Sequence, residues 1–234
     1  DFNKIREGYK ASAMPGTVAG LLDAHANFGV LTLEEILEPV IEQATNGIYV
    51  TNDLHQAIKI SKKLKENKES KRIFYKNGLA LQEGTLLKRP DLAKTLKLIA
   101  TKGKDGFYKG IIKEKFIDAM KINNGFLSDN DFDSYNTNIG SPLISSYKGN
   151  YIFTAGPPSG GGLVIATSLN ILNGYDLKKY GSNSAVTYHL LAESLRRGHN
   201  NRSHHLGDPN YYNVPVKSLL SQERTLELIK TMSL

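Results

Sequence analysis

Apolar residues recur at helical spacing over the first half of the chain. Spacings of three and four residues place such side chains on one face of a helix. Gly, Asn, Asp, Thr or Pro flanks each segment, as is typical of helix ends. The predicted helices are Val18–Phe28, Leu33–Thr45, Leu54–Leu64, Leu92–Ala100 and Ile111–Ile122. The pattern therefore predicts a helical array over residues 1–138.

Two polar segments are typical of helix N-termini. They are residues 32–35 (T-L-E-E) and residues 128–131 (S-D-N-D). In each, a hydroxyl can accept from a free amide group while acidic side chains meet the positive end of the helix dipole. Residues 62–71 form the most polar stretch of the chain, which favours a solvated helix end or loop.

The pattern changes after Asn138. Two short segments rich in Ile, Tyr, Phe and Thr, Pro142–Tyr147 and Tyr151–Ala155, flank residues 148–150 (K-G-N) and predict a β-hairpin. Helical spacing resumes in Leu163–Leu172, Val186–Arg197 and Leu219–Met232. We therefore expect a helix-rich α+β fold, with the hairpin and its covering helices in residues 139–234. The absence of an internal repeat or a flexible linker predicts a single domain over residues 1–234.

The composition is that of a soluble globular protein. The chain has 234 residues, of which 40% are hydrophobic and 23% charged, so it can bury a sizeable core. Its net charge of +7 permits acidic partners, but the lysines are spread along helical stretches, and no nucleic-acid partner is expected. The lack of cysteine excludes disulfides, thiolate metal sites and a cysteine nucleophile.

No targeting or membrane-spanning segment is predicted. No apolar run approaches the roughly 18 residues that span a bilayer. The first residues, Asp1-Phe2-Asn3-Lys4, contain neither an initiator Met nor the apolar region of a signal peptide. We expect the chain to begin within its gene product.

Residues 156–162 (G-P-P-S-G-G-G) form the most unusual segment, because they leave a predicted strand and enter an apolar helix. No Gly-Lys-Ser/Thr follows, as a phosphate loop requires, and Pro157 stands where a G-x-S-x-G elbow has its first Gly. Free amides at a helix N-terminus can bind an anion. Tight packing of the helix on the sheet is the simpler interpretation.

Two further groups of polar residues are candidates. His199, His204 and His205 precede Asp208, but their spacing fits no zinc motif, so a polar loop without a metal is predicted. An ion pair between Arg202 and Asp208 is a structural alternative that closes this loop. The other group comprises the carboxylates Glu34, Glu35, Glu38 and Glu42, whose helical spacing favours surface charge over acid/base catalysis.

An ordered series of segments resembles the γ-glutamyltransferase (γ-glutamyl transpeptidase) family, in the part that forms its large subunit. The matching segments are residues 13–20 (A-M-P-G-T-V-A-G), 82–86 (Q-E-G-T-L), 90–96 (P-D-L-A-K-T-L), 106–110 (G-F-Y-K-G), 157–161 (P-P-S-G-G) and 206–209 (L-G-D-P). Six segments in order over almost the whole chain are far more specific than any one of them.

The resemblance implies part of an αββα sandwich of the N-terminal nucleophile hydrolases. Members of the family are made as precursors that cleave themselves before a threonine, which becomes the nucleophile. The implied reaction is attack on a γ-glutamyl amide such as glutathione, formation of a γ-glutamyl-enzyme, and transfer of the acyl group to water, an amino acid or a peptide. The implied partner is the catalytic small subunit, in a heterodimer. No cofactor is implied, and the implied location is periplasmic or secreted.

The chain also departs from the family pattern. It ends at residue 234, before the family's T-T-H-x-S-V-x-D segment, so no catalytic residue is expected in it and the isolated chain is predicted to be inactive. Arg6-Glu7 does not match the family's R-E-x-A-P segment, which contains the arginine for the substrate α-carboxylate. The A-x-A-D-R segment has become residues 199–202 (H-N-N-R), which lack the Asp, and His205 replaces a Tyr.

The resemblance implies that a few residues form a structural motif near the catalytic site. They are Pro157, Pro158, Ser159, Gly160, Gly161, Arg202 and Asp208. Two alternatives to a γ-glutamyltransferase subunit remain: a non-catalytic remnant or binding scaffold, and a related acylase or γ-polyglutamate-cleaving enzyme.

Overall fold

The computed structural model describes residues 6–233, so the predictions that rest on Asp1 and the neighbouring residues lie outside the described part of the chain. The chain forms two compact units, Asp1–Thr137 and Asn138–Leu234. Helices dominate, and the described strands pair only as two-stranded antiparallel sheets. The predicted helix-rich α+β class is confirmed. The single domain predicted over residues 1–234 stays a prediction.

The first unit is mainly helical. Its helices are α1 (Thr17–Phe28), α2 (Leu33–Asn46), α3 (Asn52–Ile60), α4 (Lys62–Glu66), α5 (Lys68–Phe74), α6 (Pro90–Lys102), α7 (Asp105–Tyr108), α8 (Gly110–Ile122) and α9 (Asp129–Ser134). Ala19, Tyr108, Ile117 and Phe132 form one buried cluster. This cluster brings α1 into contact with helices from the far end of the unit.

Four short strands of the first unit were not predicted. They are β1 (Ile48–Tyr49), β2 (Tyr75–Lys76), β3 (Leu79–Ala80) and β4 (Leu86–Leu87), with β1 paired to β4 and β2 to β3. Two residues are too few for a visible alternation of apolar and polar positions. The turn between β2 and β3 does carry a signal, because Asn77 and Gly78 both have positive φ, as the Asn-Gly hairpin turn requires.

The sequence predicts where helices begin more accurately than where they are interrupted. The Thr32 hydroxyl accepts from the Glu35 amide, and the Glu35 carboxylate accepts from the Thr32 amide, so the predicted cap is confirmed. The helix predicted over Leu54–Leu64 is wrong in one respect: it breaks at Ser61, whose hydroxyl accepts from the Leu64 amide and caps a new helix. Residues 62–71, predicted as a solvated helix end or loop, form α4 and the first part of α5, with Asn67 as the cap between the two helices.

The second unit contains the predicted hairpin. Strands β5 (Leu143–Tyr147) and β6 (Asn150–Thr154) pair in antiparallel register, and Lys148 and Gly149 form the turn with positive φ. The helices are α10 (Gly160–Asn173), α11 (Leu177–Tyr180), α12 (Ala185–His205), α13 (Val216–Leu219) and α14 (Gln222–Lys230). Helix α10 packs against the hairpin and against α12. On the other face of the hairpin, Ile144, Tyr151 and Phe153 are exposed.

Helix α12 is longer than predicted. The segment from His199 to His205 was expected to be a polar loop, but it forms the last two turns of α12. It contains neither Pro nor Gly, and Gly198 just before it sits against α10, where an added Cβ would lie 2.8 Å from the Val164 carbonyl oxygen. Tertiary packing therefore continues the helix through residues of low apolar periodicity. Among the described residues, no helix is both long and apolar enough to cross a bilayer.

Candidate functional site

The Gly-Pro-Pro-Ser loop joins β6 to α10, as the sequence predicts. The Ser159 amide donates to the Gly156 carbonyl oxygen at 3.0 Å, and the peptide bond between Pro157 and Pro158 is cis. Helix α10 begins at Gly160, and the Ser159 side chain makes no capping hydrogen bond to it. The hydrogen bond between Ser159 and Gly156 closes a turn just before the helix.

Close packing explains two of the three glycines that open α10. A Cβ on Gly162 would lie 2.1 Å from the Ala155 carbonyl oxygen, and one on Gly160 would lie 2.6 Å from Nε of Arg202. A Cβ on Gly161 would meet nothing within 4 Å. The interpretation of this segment as tight packing of a helix on a sheet therefore applies to Gly162, whereas Gly160 packs against the end of α12.

A cavity of about 600 Å³ lies beside this loop, within the second unit. Its lining residues come from the loop, the end of β6 and the segment before β5; among them are Ser141, Phe153, Pro157 and Ser159. The first amide groups of α10 are not bonded within the helix and carry its positive dipole end. The Arg202 side chain adds a full positive charge at Gly160, so the start of α10 is electropositive.

Asp208 does not pair with Arg202. Its carboxylate accepts from the Asn210 amide at 2.9 Å, and its carbonyl oxygen accepts from the amides of Tyr211 and Tyr212. The ion pairs formed within residues 6–233 do not include one between Arg202 and Asp208, so that alternative is wrong. Asp208 instead stabilises the turn that follows α12, which is what an Asp side chain does when it accepts from an amide two residues ahead.

The three histidines lie on the helix and not in a loop. Nδ1 of His204 is 2.9 Å from the Asn200 carbonyl oxygen, and its ring centre is 6.3 Å from that of His205. Within the described chain, no group of three or more His, Asp or Glu side chains is arranged to hold a metal ion.

The four glutamates of α2 border a separate cavity of about 560 Å³ in the first unit, opposite Lys97 of α6. Their side chains are exposed. Hydrogen bonds from the Thr32 backbone amide and hydroxyl lower the pKa of Glu35 below its ordinary value. This arrangement is that of a capped, charged helix surface, as the sequence predicts.

Asn201 is the residue whose environment the sequence did not reveal. It immediately precedes Arg202, where the family pattern has its Asp. The side chain is 1% exposed, and neither its nitrogen nor its oxygen has a hydrogen-bond partner on the described protein. The sequence shows only that Asn201 replaces the charged Asp of the family pattern. The structure adds that Asn201 is buried.

Arg197 holds the end of α14 against α12. It is 7% exposed; its guanidinium donates to the Leu228 and Thr231 carbonyl oxygens and pairs with Glu193. Arg196 and Arg197 together lower the pKa of Glu193 from 4.5 to about 2, mainly by hydrogen bonding. This network anchors the helix from which Asn201 and Arg202 project.

Comparison with known proteins decides the family. The family model described as gamma-glutamyltranspeptidase matches residues 2–234. The chain belongs to the gamma-glutamyltranspeptidase family. The family predicted from the six ordered segments is therefore confirmed.

Relatives agree with this assignment. The chain is 36% identical over 224 residues to the glutathione hydrolase proenzyme of Escherichia coli, covering 95% of this chain and 39% of that protein. It is also 36% identical over 216 residues to the acylase ACY 1 proenzyme of a Pseudomonas species, covering 92% of this chain and 39% of that protein. The chain thus spans about two fifths of the curated relatives it matches.

A solved structure of the same family shows the fold of this chain. The crystal structure of the Helicobacter pylori gamma-glutamyltranspeptidase matches with a TM-score of 0.94 and 33% identity, over 98% of this chain and 66% of that one. The predicted N-terminal nucleophile hydrolase fold is confirmed.

Proposed function

We propose that the protein containing this chain is a γ-glutamyltransferase and glutathione hydrolase. It cleaves γ-glutamyl amides through a γ-glutamyl-enzyme and transfers the acyl group to water, amino acids or peptides. The observation that carries the proposal is the family match over residues 2–234, supported by the similarity to the glutathione hydrolase proenzyme of E. coli.

In this proposal the chain is the large-subunit part of a heterodimer. The nucleophilic threonine lies on the small subunit, whose amino-terminal group serves as its base. Oxyanion-hole amides stabilise the tetrahedral intermediate. The isolated chain is inactive because, in this assignment, both the nucleophile and its base belong to the small subunit.

The loop before α10 is the part of this chain proposed to border the site. Pro157, Pro158 and Ser159 line the cavity of about 600 Å³, while Gly160, Gly161 and Arg202 make its helix end electropositive. Such an end favours a carboxylate. Asp208 contributes indirectly, by fixing the turn that follows α12.

A second candidate function is that of an acylase of the same family. The 36% identity to the acylase ACY 1 proenzyme equals the identity to the E. coli glutathione hydrolase proenzyme, so overall identity favours neither. In both cases we propose a periplasmic or secreted location.

The test is turnover of a γ-glutamyl anilide by the purified chain, with and without a separately expressed small subunit that begins at threonine. We expect no turnover by the chain alone and turnover upon mixing. A threonine-to-alanine small subunit is the matched control, because it assembles without a nucleophile. Turnover by the chain alone would contradict the subunit assignment. Cleavage of an acyl side chain in preference to the γ-glutamyl anilide would favour the acylase.

A further inference from the structure

The lysines and arginines are not spread evenly along the chain, because many of them lie in one short stretch. Residues 59–76 hold eight basic residues: Lys59, Lys62, Lys63, Lys65, Lys68, Lys71, Arg72 and Lys76. Only Glu66 and Glu69 oppose them, so this stretch carries a net charge of +6, eight minus two, out of +7 for the whole chain. We call residues 59–76 the lysine segment.

The lysine segment lies on the protein surface. All eight basic side chains belong to exposed residues, and α4 packs against α5. On each helix two lysines are three residues apart, Lys62 with Lys65 and Lys68 with Lys71, a spacing that places side chains on the same side. Within residues 6–233, these four lysines form no ion pair, whereas Lys63 pairs with Glu7. Their charge is therefore available to a partner.

The groups that recognise nucleic acids are engaged elsewhere. Arg72, the only arginine of the segment, pairs with both Glu69 and Asp91. The ring of Phe74 packs in the core beneath Arg89, and the Tyr75 hydroxyl donates to the Ile58 carbonyl oxygen. Stacking on bases and bidentate readout depend on free aromatic rings and arginines. The segment offers lysines instead, which act as diffuse point charges.

An apolar side chain stands among these lysines. Ile60 lies between Lys59 and Lys62 and is 78% exposed. A lipid bilayer surface accepts both components, because its anionic headgroups attract lysines and its interface takes up apolar side chains. A phosphodiester backbone offers nothing to an isoleucine. We propose that the lysine segment docks the protein reversibly on an anionic phospholipid surface.

The test uses the complete protein that contains this chain and vesicles of phosphatidylcholine alone or equimolar with phosphatidylglycerol. Co-sedimentation should occur only with the anionic vesicles and should weaken as salt screens the charges. In the segment variant, Lys62, Lys65, Lys68 and Lys71 are replaced by Gln. Each lysine near an anionic surface raises the partition coefficient onto the vesicles about five-fold. The partition coefficient of this variant should therefore be lower by a factor on the order of several hundred.

The matched control replaces four exposed lysines elsewhere, Lys94, Lys115, Lys178 and Lys217, by Gln, which gives the same net charge. It should lose far less binding than the segment variant. Equal loss in both variants would reduce the effect to net charge and overturn the proposal. Failure of the wild-type protein to bind anionic vesicles would overturn it too, as would tighter binding to duplex DNA than to vesicles in the same buffer.

A label provides a readout that does not depend on how the lysine variants fold. The chain contains no cysteine, so Glu66→Cys introduces a single attachment point in the segment for a polarity-sensitive fluorophore. Its emission should shift to the blue on adding anionic vesicles. The same fluorophore at Glu114→Cys, on α8, should not respond. A response at Glu114→Cys with none at Glu66→Cys would place the docking surface elsewhere.

Discussion

The Tyr108 hydroxyl donates a hydrogen bond to the Pro15 carbonyl oxygen at 2.6 Å. It also accepts one from the Ala19 amide at 3.1 Å. Both partners lie in residues 13–20, and Tyr108 lies in residues 106–110, so one side chain joins two of the segments that identify the family. Burial raises the pKa of Tyr108 above its ordinary value.

Replacing Tyr108 by Phe should therefore destabilise the first unit. The change removes both hydrogen bonds and leaves a buried amide without its partner, a loss of roughly 1–3 kcal/mol in the free energy of unfolding. Urea denaturation measures it. Tyr135→Phe is the control, because Tyr135 stacks on the same ring at 5.8 Å but its hydroxyl has no hydrogen bond within the described chain. Because both changes keep the ring, a loss for Tyr108→Phe no larger than that for Tyr135→Phe would show that the two hydrogen bonds of Tyr108 contribute little to joining the segments.

The glycines at the start of α10 give a second, internally controlled prediction. Gly162→Ala should destabilise the protein by roughly 1–3 kcal/mol, since the new methyl group would press into the Ala155 carbonyl oxygen. Gly161→Ala should be neutral or stabilising by up to about 1 kcal/mol, because the site is open and Ala restricts the unfolded chain. Thermal unfolding of both variants checks the difference. A tolerated Gly162→Ala would contradict the tight packing of α10 on the hairpin.

The two neighbouring arginines of α12 should differ sharply in importance. Arg197→Lys should cost roughly 2–4 kcal/mol, because an ammonium group cannot reach Glu193 and the end of α14 together. Arg196→Lys should cost less than about 1 kcal/mol, since that side chain is 67% exposed. Chemical denaturation compares them directly. The reverse order would mean that Glu193, and not the end of α14, is the important partner.

The pH dependence of stability should report on Glu193. Its pKa is depressed to about 2, so its ion pairs contribute fully above its ordinary value of 4.5 and are lost as pH falls toward 2. Unfolding free energies measured across this window should fall less steeply for Glu193→Gln than for the wild type. Glu38→Gln should keep the wild-type slope, because the described ion pairs do not include Glu38. Identical slopes for all three proteins would argue against the depressed pKa.

The parts of the fold that the sequence predicted are those with a local cause. The hairpin follows from period-two alternation around a Lys-Gly turn, and the start of α2 follows from reciprocal bonds between Thr32 and Glu35. The end of α12 could not be predicted this way. Residues 199–205 lack apolar periodicity, and the close contact of Gly198 with α10 is a property of the folded chain.

The candidate site could be predicted only in part, because its loop has a local cause in the sequence while its packing does not. The Gly-Pro-Pro-Ser loop was visible because Pro and Gly restrict the backbone in known ways, and its position between a strand and a helix is correct. The roles of the individual glycines were not visible, because they depend on which atom lies opposite each one. Asn201 shows the same limit, since nothing adjacent in the sequence indicates that this amide is enclosed.

The hairpin formed by β5 and β6 has a practical consequence for recombinant work. In the described second unit each strand pairs on one side only, and Ile144, Tyr151 and Phe153 lie exposed beside these free edges. Unpaired strand edges with apolar side chains recruit strands from other molecules. The soluble yield of the isolated chain will therefore depend on protein concentration, because this hairpin can pair with that of another molecule.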